Sequence, residues 1–179
     1  MKYKIAVSGA SQAGHCVKNI TALGKEIGRQ IALQNCILIT GATTGVPNLA
    51  AQGAKKAGGV SIGFSPAVSE LEHRKVYRLP LEFYDVVVYT GFDYAGRNLL
   101  MVRSSDATII IDGRMGTLNE FTIAFEDNRP IGVLIGTGGT ADMIKNIVKN
   151  SHRGPGKIVY DSDPKKLVSK VIKLINHSK

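Results

Sequence analysis

The residues best equipped for chemistry stand in Gly113-Arg114-Met115-Gly116-Thr117-Leu118-Asn119-Glu120, directly after the apolar, β-branched run Ala107–Ile111. A buried strand that ends in a glycine turn and feeds a helix start leaves backbone N–H groups and the positive end of the helix dipole facing outward. Glycine lets a phosphate approach those groups closely. Thr117 and Glu120 are three apart, the spacing of an S/T-x-x-E capping box, in which the carboxylate bonds back to the helix start. At a ligand-facing helix end the same carboxylate is also placed for chemistry on a bound molecule. Arg97 falls in the first turn of the preceding helix, just past a strand-end glycine. Its guanidinium matches phosphate in a bidentate fork. Arg103, six residues on, has a salt bridge or loop cap as its plain reading, beside a supporting role at the site.

Two further glycine turns follow strands upstream. Ser8-Gly9-Ala10-Ser11 with Gly14 only loosely resembles a dinucleotide fingerprint, because GxGxxG is not present. The acidic residue expected after the second strand is replaced by Thr40-Gly41-Ala42, which argues against an NAD enzyme. The second turn is Gly41-Ala42-Thr43-Thr44-Gly45. His15, His73, His152, His177, Cys16 and Cys36 show no metal-ligand spacing, so no metal site is expected. Cys36 precedes a strand and reads as a small core residue.

The elements that must carry these groups repeat as a short apolar strand, a glycine turn and an amphipathic helix. Strands are read at Lys4–Val7, Ile37–Thr40, Val60–Phe64, Asp85–Tyr89, Ala107–Ile111, Ile131–Ile135 and Lys157–Tyr160. Helices are read over about 17–34, 46–57, 95–104, to about 127, to about 150, and Pro164–Asn176. Gly24 and Gly28 share a helix face and suit close packing on a sheet. Pro47 suits a first helical turn. From Ser65 to Tyr84 no clean period appears, and a connection this long is often a lid or binding loop. Alternating strands and helices imply an α/β fold: a single domain over 1–179, doubly wound, with a mainly parallel sheet of about seven strands and helices on both faces. Ligands then bind at the carboxyl ends of the strands, near a switch in strand order.

The 179 residues fit one domain with a sizeable core. Lys and Arg exceed Asp and Glu by 23 to 14, a balance of +9 that suits anionic partners. Much of that excess lies on C-terminal lysines at helical spacing, a solvated face. No nucleic-acid module or basic–aromatic interleaving makes nucleic acid a partner. With two cysteines, no signal-like run and no stretch of the ~20 apolar residues needed to span a bilayer, the expected setting is the cytoplasm, with no membrane partner.

Arg97-Asn98-Leu99-Leu100-Met101-Val102-Arg103-Ser104-Ser105-Asp106-Ala107 together with Gly113 to Glu120 resembles the LOG superfamily of Rossmann-like proteins. Cytokinin-activating phosphoribohydrolases are its best-known members, and one branch comprises molybdenum-cofactor carrier proteins. The family pattern is an Arg-Lys pair, a Met-x-x-Arg-x-Ser-Asp-Ala-like helix end, a strand, then PGGxGTxxE. Here Asp112 stands for the proline, Arg114 for the second glycine, Asn98 for the lysine and Asn119 for the first of two acidic residues. The resemblance implies a Rossmann-like fold and a phosphorylated, nucleotide-type ligand. Ser8, Gly9 and Ser11, then Gly41, Thr43 and Gly45, then Gly113, Arg114, Met115, Gly116 and Thr117 would hold it. Arg97 and Glu120 would be the catalytic pair of a nucleoside 5′-monophosphate phosphoribohydrolase, the carboxylate stabilising positive charge on the sugar as the N-glycosidic bond breaks. The alternative is a non-catalytic carrier or sensor of a nucleotide or molybdopterin-type cofactor. No cofactor is required for turnover, and a homodimer or higher homo-oligomer is expected.

Overall fold

The computed structural model describes residues 1–12 and 17–178; the readings attached to Gly14, His15 and Cys16 lie outside the described residues. The strands are β1 (Lys4–Gly9), β2 (Ile37–Thr40), β3 (Ser61–Ser65), β4 (Val86–Tyr89), β5 (Ala107–Ile111), β6 (Ile131–Leu134) and β7 (Ile158–Asp161). They form one sheet in the order β4-β3-β2-β1-β5-β6-β7, and every neighbouring pair is parallel. Parallel neighbours need crossovers, and these are supplied by α1 (Ile20–Leu33), α2 (Val46–Lys56), α3 (Glu70–Lys75), α4 (Asp93–Arg103), α5 (Met115–Glu126) and α6 (Gly139–Ser151), while α7 (Pro164–Asn176) closes the described fold.

Alternation along the central strands sorts the core into two layers. Ile5, Val7, Ile109 and Ile111 pack with Ile27 and Ile31 of α1, Ala50 and Ala54 of α2, and Val168 and Val171 of α7. Ala6 and Ile110 pack with Met101 of α4, Phe121 of α5 and Ile144 of α6. Each fully buried isoleucine contributes about 1.5–3 kcal/mol, so the central strands are the rigid base on which the turns are mounted. The doubly wound parallel sheet of seven strands matches the expected architecture.

Three local readings change. The glycine face of α1 packs on α2, not on the sheet: a Cβ on Gly28 would overlap the Ala50 carbonyl, and one on Gly53 of α2 would overlap the Lys25 carbonyl. The aperiodic Ser65–Tyr84 stretch holds a helix, α3. Ser69 caps it by accepting from the Glu72 amide at 3.3 Å, and the Glu72 carboxylate returns to the Val68 amide at 2.6 Å. Finally, α4 begins at Asp93, before Ala95. Among the described residues no helix is long and apolar enough to cross a membrane.

The chain builds β1 to β4 outward on one side, then returns through α4 to place β5 against the other edge of β1, pairing Gly9 with Ile111. That reversal opens a crevice between the carboxyl ends of β1 and β5.

Candidate functional site

A cavity of about 500 Å³ occupies this crevice, bounded by the turns after β1, β2 and β5, the first turns of α4 and α5, and residues 77–79. Its anion corner begins where β5 ends. Asp112 and Gly113 both take positive φ, 54° and 104°, and turn the chain sharply into the extended N-cap Arg114. The turn is fastened to the next one: the Asp112 amide donates to Thr137 Oγ1 at 2.8 Å, and the Asp112 carbonyl accepts from the Ala141 amide at 2.9 Å. A Cβ on Gly113 would overlap Thr117, so only glycine fits. Leu118 makes the first helical bond, to the Arg114 carbonyl at 2.9 Å, which leaves the amides of Met115, Gly116 and Thr117 ahead of the ladder. A Cβ on Gly116 would meet no atom of the described residues within 4 Å, so this side of the helix start is open. Arg114 does not fill it; its exposed guanidinium donates to Gln12 Oε1 at 3.3 Å.

The capping-box reading of Thr117 and Glu120 is overturned. Because α5 starts at Met115, Thr117 already lies inside the helix and Glu120 falls in the second turn, its side chain directed at β1. Glu120 Oε2 accepts from the Ser8 hydroxyl, and Oε1 faces Arg97 Nη1 at 3.4 Å. Asn98, with its amide nitrogen toward the oxygens that face it, donates to Glu120 Oε1 and the Tyr94 carbonyl, both at 2.9 Å. Burial raises the Glu120 carboxyl above its ordinary pKa, opposed by Arg97 and the Ser8 hydroxyl. Burial likewise lowers Arg97 from its ordinary value, opposed first by Glu120. The pair is therefore a desolvated couple in which each partner opposes the shift that burial imposes on the other. A Cβ on Gly41 would overlap Arg97 Nη1, so the guanidinium lies directly on the β2 turn. Arg97 Nε is buried and makes no hydrogen bond within the described residues.

The opposite wall is aromatic. Tyr94 lies 5.9 Å from Arg97 Cζ, ring centroid to carbon, and meets Tyr77 edge-on at 5.7 Å and 83°. The Tyr77 hydroxyl donates to Asp93, which pushes the phenol pKa up to about 12. The segment carrying Tyr77, Arg78 and Leu79 is pinned from below by buried His73. Its Nδ1 lies 2.8 Å from Ser65 Oγ and its Nε2 lies 3.2 Å from the Pro80 carbonyl. Nε2 faces a carbonyl, which can only accept, so it carries the proton, and in the neutral ring Nδ1 then accepts from the Ser65 hydroxyl. Burial holds the His73 pKa below its ordinary value of 6.5.

The structure gathers Gly9, Ser11, Gly41, Thr43, Arg97, Arg114, Gly116, Thr117 and Glu120 on the cavity wall. Ser8, Gly45 and Gly113 stand behind it. Ser8 holds Glu120, and Gly45, at φ 69°, makes room for the peptide at residues 10–11. Met115 points away and is 75% exposed. Arg103 forks onto Asp127 at 2.9 and 3.1 Å on the surface, the salt-bridge alternative. Sequence reasoning left out Gln12, Tyr77, Arg78, Leu79, Tyr94 and Asn98 as wall residues. The one available signal was the aperiodic stretch that holds residues 77–79.

Three solved structures resemble the whole chain. TM1055 matches with a TM-score of 0.82 and 26% identity over 97% of this chain and 99% of that one. The molybdenum cofactor binding protein of Rippkaea orientalis matches at 0.76 and 26% over 99% and 98%. The molybdenum cofactor carrier protein of Chlamydomonas reinhardtii matches at 0.77 and 26% over 98% and 99%. The model of the SLOG cluster4 family runs over residues 2–168, from β1 into α7, and so takes in every turn that bounds the cavity. A seven-stranded parallel sheet, an open α5 start and a buried Arg–Glu couple at the strand-order reversal thus accompany a family match over nearly the full length, and the chain belongs to the SLOG cluster4 family.

Proposed function

We propose that this protein binds a phosphorylated ring compound, of nucleotide or molybdopterin type, in the crevice and carries it without turnover. The observation that carries this reading is the state of Glu120. Ser8 engages one oxygen, Arg97 and Asn98 engage the other, and the residue is only 7% exposed. A carboxylate so held anchors a guanidinium; a general base needs a lone pair aimed at the water it deprotonates. Phosphate would sit before the amides of Met115 to Thr117, with Arg114 and Arg97 supplying positive charge. The unsatisfied Arg97 Nε is the kind of buried donor that a ligand oxygen completes. The likeness to proteins described as molybdenum cofactor binding and carrier proteins supports the same reading.

The second reading is the phosphoribohydrolase, with Arg97 and Glu120 as its catalytic pair. The raised Glu120 pKa favours it, because a carboxyl lifted toward neutrality is a stronger base. Incubation of the purified protein with AMP, GMP, CMP and UMP separates the two. The carrier reading expects binding by calorimetry with no free base in chromatography, and released base in any reaction would replace it with the hydrolase. Self-association is proposed as well. Val86 and Val88 on edge strand β4, and Phe92, Leu99 and Leu100 at α4, are exposed apolar side chains suited to a second copy. Light scattering that reports a monomer at micromolar concentration would remove that part.

A further inference from the structure

The cavity is larger than an anion requires. At about 500 Å³ it falls within the range of small-molecule sites, about 300–1,000 Å³. Its lining also differs in chemistry from part to part. The start of α5 presents helix amides and Arg114, and residues 77 and 94 present two tyrosines whose rings are set nearly at right angles. Arg97 touches both sets, with Glu120 of α5 at 3.4 Å and the Tyr94 ring at 5.9 Å.

Resting on the binding reading above, we propose that Tyr94 and Tyr77 form a ring subsite that selects ligands bearing a flat nitrogen heterocycle in addition to phosphate. Tyr94 lines the cavity and is 47% exposed, so it keeps free ring surface for stacking. Tyr77 meets it edge-on and is held by the Asp93 carboxylate, which fixes the angle between the two rings before any ligand arrives. Leu79 adds an apolar contact on the same wall. An aromatic corner fixed in this way accepts any flat π-face and gives nothing to a bare sugar phosphate. The chemistry is shared by a purine nucleotide and a phosphorylated pterin; the 2-amino-6-oxo edge of guanine has the donor and acceptor pattern of the 2-amino-4-oxo edge of a pterin, and adenine lacks it.

Titration calorimetry with GMP, AMP and ribose 5-phosphate tests the proposal on the unmodified protein and on Tyr94→Ala and Tyr94→Phe. The unmodified protein is expected to bind GMP at least tenfold more tightly than ribose 5-phosphate. Tyr94→Ala should weaken GMP about tenfold or more and leave ribose 5-phosphate within twofold, with Tyr94→Phe close to the unmodified protein. GMP preferred over AMP points to the pterin-like edge, and equal affinity points to stacking alone; either supports the subsite. Ribose 5-phosphate binding as tightly as GMP to the unmodified protein would overturn the ring subsite and leave the anion corner standing. Equal losses of both ligands in Tyr94→Ala would overturn it as well. Failure of all three probes to bind the unmodified protein would overturn the binding reading and this proposal together.

Discussion

The starts of α5 and α6 are made from the same parts: a buried strand, glycines at positive φ and a helix whose first amides need partners. At α6 the chain supplies partners of its own. The Asp142 carboxylate accepts from the Gly136 and Gly138 amides at 2.7 and 2.9 Å, while the Thr140 and Ala141 amides donate to the Gly113 and Asp112 carbonyls at 3.0 and 2.9 Å. At α5 the first turn carries no acidic residue, and a Cβ on Gly116 would meet no atom of the described residues within 4 Å. Two turns of similar sequence therefore have opposite uses. One is a joint that locks β5 to β6, and the other keeps its amides available for an anion. A glycine-rich strand-to-helix turn marks where an anion site can form; whether one forms depends on whether the chain's own carboxylates reach it first.

The largest effect should come from disturbing the joint. Gly139 has φ 55°, and a Cβ there would overlap the Gly113 carbonyl and the Asp112 carboxylate. Gly139→Ala is expected to cost about 3 kcal/mol or more. In thermal denaturation that is a fall of roughly 6–12 °C for a domain of this size; an unchanged midpoint would show that the joint is loose. Gly116→Asp probes the open end, where there is room for the side chain. Stability should hold or rise by up to about 1 kcal/mol, from helix propensity and a favourable dipole interaction. GMP affinity should nevertheless fall about a hundredfold, because a carboxylate then stands where phosphate belongs. If affinity survives, the α5 amides are not the anion site. Asp142→Ala strips the closed end of its cap and should cost about 1–2 kcal/mol in urea denaturation, with GMP affinity unchanged.

The smallest effect concerns the tyrosine-bearing wall. His73 is neutral in the fold, and its pKa lies below the ordinary 6.5. Its contribution is therefore present above about pH 6.5 and is lost as pH falls through the folded value, since the unfolded chain binds the proton more readily. Arg74 disfavours and Glu70 favours protonation, both from α3; Tyr89 packs edge-on at 6.1 Å, and Ser65 and the Pro80 carbonyl take the two ring nitrogens. Stability should decline on acidification by less than about 1.4 kcal/mol per pH unit from this group. His73→Gln should flatten that part of the profile, and an identical acid limb in the variant would assign it elsewhere.

The central strands were readable because β-branched runs buried on both faces leave a continuous apolar signature, and α7 was readable to the residue because Asp163 and Pro164 mark its start unambiguously. The candidate site was half readable. Its glycines, Arg97 and Glu120 fall in one local stretch or at strand ends, where spacing carries information. The capping half of the Glu120 reading failed because S/T-x-x-E specifies a cap only if the threonine is the N-cap residue. Here the N-cap is Arg114, three residues earlier, and the actual Ser–Glu cap lies at Ser69 and Glu72. Tyr77, Tyr94 and Asn98 were missed because they converge through tertiary packing, which no local pattern records. Gly24 and Gly28 announced a close approach without naming α2 as its partner.

That backbone-to-backbone seam between α1 and α2 has a mechanical consequence. Helices in contact through glycines have no side chains to slide or re-rotamerise, so the side of the crevice built on β2 and α2 behaves as a fixed anvil. Any opening large enough to admit or release a guest has to be made across the gap, where the phenol–carboxylate tie between Tyr77 and Asp93 and the edge-on contact of Tyr77 with Tyr94 join residues 76–80 to α4. Guest traffic would then be timed by the breaking of those contacts.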